Sequence, residues 1–441
     1  MVYAGGMEHT EVAVIGGGVA GLAALQALRA AGCEAVLLEA RARLGGRIWT
    51  VQPEGWPLPV ELGAEFIHGA PPELRALAAA GDEAAGADWS WSEGELRPTG
   101  EFGNGAWELL DRMGDVRPPA PDRSFAAFLN ECGDAPEAAR VSAMGYIEGF
   151  EAADPGRISV YSLNRERAAE GEEEGPWPLR PRGGYGPWVA SLASDGGVWL
   201  DTQVHTITWR PGAVTMTARR AGAEMQLQAR RAIIALPLSL LQQSRQGAPP
   251  AVKFEPRLEA KRAALDGLVM GGALRVTLRL REAFWQTLRD AEGRRLEGLR
   301  FLFGPSAATG HFSTWWTAPG APQITGWAAG RHAWALAGRV PELLQQRALA
   351  DLGERLGVPP GAIEPLVLAA HLHDWQTDAF SLGGYSYAAV GGADAFAALA
   401  APLEHTLYFA GEATDDTGQH ATVQGALRSG QRAAREALAG I

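Results

Sequence analysis

Residues Gly16-Gly17-Gly18-Val19-Ala20-Gly21 constrain this chain more than any other segment. They follow an apolar, β-branched run from Glu11 to Ile15 and open an Ala/Leu-rich stretch, Val19 to Ala31, that stops at Gly32. A second short apolar run, Ala35 to Leu38, comes next. Strand, glycine turn, helix and strand is the context in which a G-x-G-x-x-G pattern binds a dinucleotide. Gly16 then permits the tight turn, Gly18 lets the backbone approach a pyrophosphate, and Gly21 allows close packing of helix on strand. The helix N-terminus offers unpaired N–H groups and its positive dipole end to the phosphates. Glu39 stands 18 residues after Gly21, where a carboxylate accepts hydrogen bonds from a ribose diol.

Beyond residue 70 the pattern changes. Residues 71–180 read as short Ala-rich helices separated by Pro/Gly breaks such as Arg117 to Pro121, and the acidic run Glu166 to Glu174 reads as a solvated face. Alternating segments return at Val198 to Trp209 and Gln226 to Leu236, followed by a longer predicted strand over 272–285 and hairpin-rich β structure over 299–330. Pro341 to Leu356 predicts an amphipathic helix, Leu407 to Ala410 a final strand, and Val423 to Leu438 a final helix. Like elements at both ends with another type between them imply a discontinuous two-domain architecture.

At 441 residues, with a domain expected per ~150 residues, there is room for two or three domains. A net charge of −12 argues against nucleic acid or an anionic membrane as partner and is compatible with cationic substrates. No apolar run reaches the ~18 residues of a membrane helix, and the N-terminus lacks the layout of a secretion signal, so a cytoplasmic location is expected. Cys33 and Cys132 are too few for a disulfide scaffold or a cysteine-built metal site. Only Lys253 and Lys261 of the 39 basic residues are lysines, which leaves two candidates for any lysine-dependent step.

Glu39-Ala-Arg-Ala-Arg-Leu-Gly-Gly-Arg47 adds a second glycine pair and an arginine directly after the ribose acid. This resembles the extended fingerprint of the FAD-dependent flavin amine oxidase superfamily, which includes monoamine oxidases, polyamine oxidases and lysine-specific histone demethylases; a bacterial-type member is expected. The likeness runs along almost the whole chain. Glu61-Leu-Gly-Ala-Glu-Phe-Ile-His-Gly69 is similar to the segment beside the isoalloxazine in polyamine oxidases, which places Gly63, Ala64, Glu65 and Phe66 at the cofactor and His68 toward the substrate entrance. Arg182 to Gly186 resembles the glycine turn that returns to the FAD domain. Val204 falls on the strand that meets the adenine, and Ala232 to Leu238 resembles a strand-and-proline element of the same domain. Tyr408-Phe-Ala-Gly-Glu412 and Ala421-Thr-Val-Gln-Gly-Ala426 resemble the C-terminal FAD signature, which implies cofactor contacts from Gly411, Glu412, Thr422 and Val423, alongside Arg41, Gly46 and Arg47 at the other end.

On the substrate side, Trp375 to Ser386 is similar to the family's Trp…Gly-x-Tyr segment. Tyr385 then forms one wall of an aromatic cage, and Trp375 packs against the cofactor. Gly384 stands where monoamine oxidases carry their flavin-linked cysteine, so FAD is expected to be non-covalent. The opposite wall has Thr422 where many members carry a second tyrosine. Ten residues before the Trp of the Phe284-Trp285 pair, where the family places a lysine that assists reaction with oxygen, this chain has Arg275. Arginine is larger, planar and always protonated. It could hold an acidic substrate group, stabilise reduced flavin or merely pack. Glu65 and Glu148 are candidates for a second ammonium, while His371 and His373, without another ligand in view, make a poor metal site.

The resemblance implies an α/β fold: a discontinuous Rossmann-like FAD-binding domain (1–75, 182–245 and 395–441) and a second α+β substrate-binding domain (76–181 and 246–394), as in monoamine oxidase. It implies oxidation of a small primary amine or polyamine to an imine by hydride transfer to flavin N5, then hydrolysis, with O2 as electron acceptor giving peroxide. A same-fold L-amino-acid oxidase or desaturase and a non-redox flavoprotein stay open as alternatives.

Overall fold

The strand Glu8–Ile15 forms the centre of the first sheet because four consecutive residues, Val12 to Ile15, are buried, as expected where both faces are covered. The structure, a computed structural model, describes residues 8–78, 87–92, 95–99, 105–172, 179–193, 196–245, 250–304 and 310–439. Glu8–Ile15 pairs in parallel with Ala35–Leu38 on one side and with Ala223–Ile234 on the other. Val198–Trp199 extends the sheet beyond Ala35–Leu38. Ala223–Ile234 has a double role. Its first half turns back antiparallel along Ala213–Arg220, and its last three residues pair in parallel with Leu407–Phe409 near the chain's end. Thr202–Arg210 and Lys253–Glu255 complete this eight-stranded sheet.

Two helices cover one face. Val19–Ala30 follows the glycine turn, and Val423–Ala439 lies against it so closely that a Cβ on Gly430 would stand 2.0 Å from the Ala20 carbonyl oxygen. The C-terminal end of the chain therefore closes over the N-terminal fingerprint, although about 400 residues separate them.

The second sheet has seven strands, in the order Val367–Asp374, Ala273–Leu280, Gln323–Ala329, Thr314–Thr317, Leu299–Phe303, Ala87–Ser92 and Glu95–Pro98. All its pairs are antiparallel except Leu299–Phe303 with Ala87–Ser92. Helix Pro341–Leu356 spans the expected residues and packs its apolar face on this sheet. The predicted strand over 272–285 ends at Leu280, and Phe284–Thr287 form a 3-10 turn whose aromatics enter the core. The hairpin Ala87–Ser92/Glu95–Pro98 lies in a region read as helices and breaks. Helices Phe125–Glu131, Glu137–Phe150 and Val160–Glu172 form a separate layer with their own core. Among the described residues no helix is long and apolar enough to cross a membrane.

Candidate active site

A single cavity of about 1120 Å³ runs from the glycine turn of the first sheet to the aromatic residues of the second sheet and the helix Glu137–Phe150. All four expected catalytic positions line it: Tyr385, Arg275, Thr422 and His68. So do the expected cofactor positions Gly16, Gly18, Glu39, Arg41, Gly46, Arg47, Gly63, Ala64, Glu65, Phe66, Val204, Trp375, Gly411, Glu412, Thr422 and Val423. Gly21 is buried behind the turn, where a Cβ would stand 1.9 Å from the Gly16 carbonyl oxygen. A Cβ on Gly18, by contrast, would meet no atom within 4 Å. The turn is thus closed against side chains at its back and open at its front, a shape suited to a phosphate group over the helix N-terminus. The residues present fit a dinucleotide.

Glu39 is buried, and its carboxylate accepts hydrogen bonds from the Gly17 N–H (2.6 Å) and the Arg41 N–H (2.8 Å). Arg41 is fixed in turn by Asp378 and the Ser381 hydroxyl. A β-bulge interrupts the strand ladder between Val204 and Thr206, beside the expected adenine contact. Arg47 joins the two ends of the chain: it donates 2.7 Å bonds to the Gly384 carbonyl and to Glu412. The other Glu412 oxygen accepts from the Ser386 hydroxyl (2.6 Å) and the Ala421 N–H (3.2 Å). Burial would raise the Glu412 pKa, but Arg47 and Ser386 outweigh it and lower it. Glu412 thus ties Arg47 to the loops around Ser386 and Ala421 through protein contacts.

Tyr385 donates a 2.6 Å hydrogen bond to the Phe150 carbonyl, and burial raises its pKa, so it remains a neutral phenol with its ring at the cavity wall. Trp375 is anchored through its indole N–H to the Leu62 carbonyl (2.9 Å). The missing side chain of Gly384 points into the protein, since a Cβ there would lie 2.5 Å from the Ala273 Cβ. The free thiols Cys33 and Cys132 are buried, and neither lines the cavity. The Thr422 hydroxyl donates to the Gln419 carbonyl (2.6 Å) and accepts from the Gly425 N–H (3.0 Å), which makes it the N-cap of helix Val423–Ala439. Its methyl side is what remains for a bound molecule.

Arg275 is fully buried, and its guanidinium is committed to protein groups. One Nη donates to the Gly63 carbonyl (2.8 Å) and the other to Glu65 (2.5 Å). The second Glu65 oxygen accepts from Arg180 (2.8 Å), and the Trp316 indole N–H donates to the oxygen that Arg275 holds (3.0 Å). Burial would raise the Glu65 pKa, but the guanidiniums of Arg275 and Arg180 win and hold it at about 2. Glu65, one candidate for a second ammonium, is thus an ionised carboxylate enclosed by protein donors, and Glu148, the other, is buried against Arg331 and His332 and does not line the cavity. Sequence reasoning missed Arg180 and Trp316, whose partners lie more than 100 residues away.

The acidic run also needs correction. Glu166 is buried at the cavity wall, bonded to His420 (2.7 Å) and Ser162 (3.0 Å), and is no solvated residue; residues 173 and 174 of that run lie outside the described residues. His420, unnoticed in the sequence, stacks on Phe396 with ring centroids 3.8 Å apart. His68 packs edge-on against Phe150, and burial alone pushes its pKa down to about 4, so it is neutral at pH 7. Lys261 donates to the Ala398 and Ala401 carbonyls, and Lys253 pairs with Glu255. Neither lysine lines the cavity. His371 and His373 stack edge-on against Trp56 and Trp375, and among the described residues no group of three or more possible ligands gathers for a metal.

Residues 112–438 match the family described as flavin containing amine oxidoreductase, and residues 14–80 match an NAD(P)-binding Rossmann-like domain. The chain belongs to the flavin-containing amine oxidoreductase family. It is 30% identical to polyamine oxidase 3 of Oryza sativa subsp. japonica over 97% of this chain and 89% of that protein. It is 29% identical to lysine-specific histone demethylase 1 homolog 2 of Arabidopsis thaliana over 98% of this chain and 59% of that protein. These relatives are plant proteins and give no support to a bacterial-type member. Among solved structures, putrescine oxidase bound to putrescine superposes with a TM-score of 0.80 at 22% identity, covering 98% of this chain and all of that one. Cyclohexylamine oxidase from Brevibacterium oxydans IH-35A superposes with a TM-score of 0.78 at 22% identity, covering 98% and 99%. The chain therefore has the flavin amine oxidase fold, and it is an oxidoreductase of the class that acts on amines.

Proposed function

We propose that this enzyme oxidises the carbon next to an amine nitrogen to the imine, which water then hydrolyses to a carbonyl compound and an amine. The observation that carries the reading is one cavity that holds a phosphate-accepting glycine turn at one end and the ring of Tyr385 with Trp375 at the other. Bound FAD would accept the hydride from the substrate carbon and return the electrons to O2 as peroxide. The likeness to polyamine oxidases and to a putrescine oxidase supports an amine as the donor.

The chain's own residues bind and orient. The turn from Gly16 to Gly21 receives the phosphates, Glu39 the ribose, and Arg47 with Glu412 clamps the loops from both chain ends beside the flavin. Tyr385 offers its ring face to the amine. Apolar walls disfavour the ammonium form and so hold the nitrogen neutral, as hydride loss requires. Non-covalent attachment is supported by Gly384, which has no side chain and faces Ala273. We read the substrate-binding region as residues 76–181 and 246–394, except for the strand Lys253–Glu255 that joins the first sheet, inserted between stretches of a discontinuous FAD-binding domain.

The test is an anaerobic titration of the purified, FAD-loaded protein followed by admission of air. The expected result is a flavin spectrum that bleaches with an amine and returns with oxygen, with peroxide formed. A protein that takes up no flavin, or whose bound flavin no amine reduces, overturns the proposal.

A further inference from the structure

A second cavity, of about 590 Å³, shares no lining residue with the first. Arginines from four separate segments converge on it: Arg157, Arg245, Arg257 and Arg262. Two carboxylates, Glu259 and Asp266, share its wall, so it holds an excess of two positive charges on a chain whose net charge is −12. Asp266 pairs with Arg245, whereas Glu259 reaches Arg262 only at 3.7 Å. Arg157 and Arg257, both exposed, have no ion-pair partner and no side-chain hydrogen bond among the described residues. Exposed arginines elsewhere are paired, as Arg112 is with Asp134, Arg219 with Glu224 and Arg295 with Glu297.

These side chains rise from fixed backbone. Arg157 closes a turn in which its N–H donates to the Asp154 carbonyl (2.9 Å) and its own carbonyl accepts from the Val390 N–H (2.9 Å). Just before Arg257, the Pro256 carbonyl accepts the Trp209 indole N–H (2.9 Å). Gln242, on the helix Leu238–Gln243 that precedes Arg245, donates to the Leu265 and Leu268 carbonyls at 2.9 Å each. That pair of bonds ties it to the helix Arg262–Gly267 and to the strand that follows. Leu265 and Leu268 are buried and supply the apolar part of the lining. Guanidiniums gathered with unbalanced charge repel one another, and a multivalent anion between them removes that repulsion. Phosphate oxygens match the planar fork of guanidinium donors. The net charge of the whole chain disfavours nucleic acid or an anionic membrane here, so a small anion is the matching ligand.

We propose that this cavity is a second ligand site, separate from the amine-oxidising one, which takes a small phosphate-bearing anion of at least two negative charges. Arg157 and Arg257 are its uncommitted donors, and Arg245 and Arg262 add to the positive field around them. Its volume falls within the range of roughly 300–1,000 Å³ found for small-molecule pockets, enough for a diphosphate group together with the body that carries it.

The experiment titrates the FAD-loaded holoenzyme, in which the nucleotide turn is already filled, with pyrophosphate, ATP, adenosine and citrate by calorimetry. Pyrophosphate or ATP is expected to bind once per chain with a Kd of ~100 μM or tighter. That affinity should weaken at least ~10-fold between ~50 and ~500 mM NaCl, as screening demands. Arg157→Gln and Arg257→Gln are each expected to weaken binding ~10-fold, while Arg219→Gln, on the strand Ala213–Arg220, leaves it unchanged. All three variants should keep the flavin absorbance of the native holoenzyme, which separates a lost anion site from a folding defect. ATP bound more tightly than pyrophosphate identifies a nucleotide as the ligand; equal or weaker binding identifies the diphosphate alone as the group recognised. Three results overturn the inference: no saturable binding, citrate or adenosine bound as tightly as pyrophosphate, or affinity indifferent to both Arg157 and Arg257. None of them touches the amine-oxidase reading, which rests on the other cavity.

Discussion

The two ends of the cavity are built on opposite principles. At the nucleotide end the protein withdraws its side chains: Gly16, Gly18 and Gly21 leave backbone N–H groups and a helix terminus to do the binding. At the other end side chains fill the wall and bind one another, with Glu65 enclosed by Arg275, Arg180 and Trp316. Dinucleotides present the same pyrophosphate to every enzyme that binds them, so a short local pattern suffices. A substrate pocket is assembled from distant segments, and its character lies in which groups neutralise each other.

Substitutions that act on one end and spare the other sharpen this contrast. The largest effect is expected at the turn. Gly21→Val places carbon atoms inside the van der Waals radius of the Gly16 carbonyl oxygen, so the protein should purify without flavin absorbance and gain none on adding FAD. Retention of a yellow holoenzyme would break the claim that the turn is closed at its back.

Next comes Glu65→Ala, which leaves two guanidiniums facing each other at a buried site. A loss of about 3–5 kcal/mol in urea unfolding is expected, as for other broken buried ion pairs. The same carboxylate predicts a pH dependence. Its pKa falls from 4.5 in the unfolded chain to about 2 when folded, so its stabilising contribution is complete above pH 4.5 and fades as the pH drops toward 2. Acid titration of unfolding in Glu65→Gln should lack this contribution; an unchanged acid profile would count against the pairing.

A smaller change is expected from Arg275→Lys. The variant exchanges a guanidinium tied to Gly63 and Glu65 for a shorter ammonium with room for water. Oxygen-dependent return of flavin absorbance should accelerate ~10-fold, roughly 1.4 kcal/mol in barrier. An unchanged rate would show that this position does not govern the electron acceptor. The smallest effect belongs to Thr422→Ala, where loss of the N-cap should cost about 1 kcal/mol in thermal or urea unfolding. Substrate KM should move less than ~3-fold; a larger shift would show that the hydroxyl leaves its cap to meet the amine.

Much of the nucleotide end was legible before the structure. The turn, its flanking strands, Glu39 and the helix Val423–Ala439 obey local rules of periodicity and glycine placement, and the two ends of the chain do meet through Arg47 and Glu412. The substrate end was legible only in part. Tyr385 and Arg275 were found through the resemblance of their segments to the family, whereas Glu65 and Glu148, offered as candidates for an ammonium, turn out to face protein cations. The spacing of a carboxylate says nothing about which guanidinium opposes it. The hairpin Ala87–Ser92/Glu95–Pro98 escaped notice although Trp89 and Trp91 alternate with serine, because its stabilising partner, Leu299–Phe303, begins 212 residues after Ala87. Glu166 was assigned to a solvated face from the charges around it, while its true environment comes from His420, 254 residues away.

The sequence by itself determined the nucleotide turn and its flanking elements, which follow from local backbone preference and apolar period, while the fold and the set of residues that reach the cavity were read from resemblance to a family. Only the tertiary structure decided what each charged group does there. Burial penalises a lone charge so strongly that its role is set by its partner, and partners are brought together by folding, across hundreds of residues, without leaving a local signal.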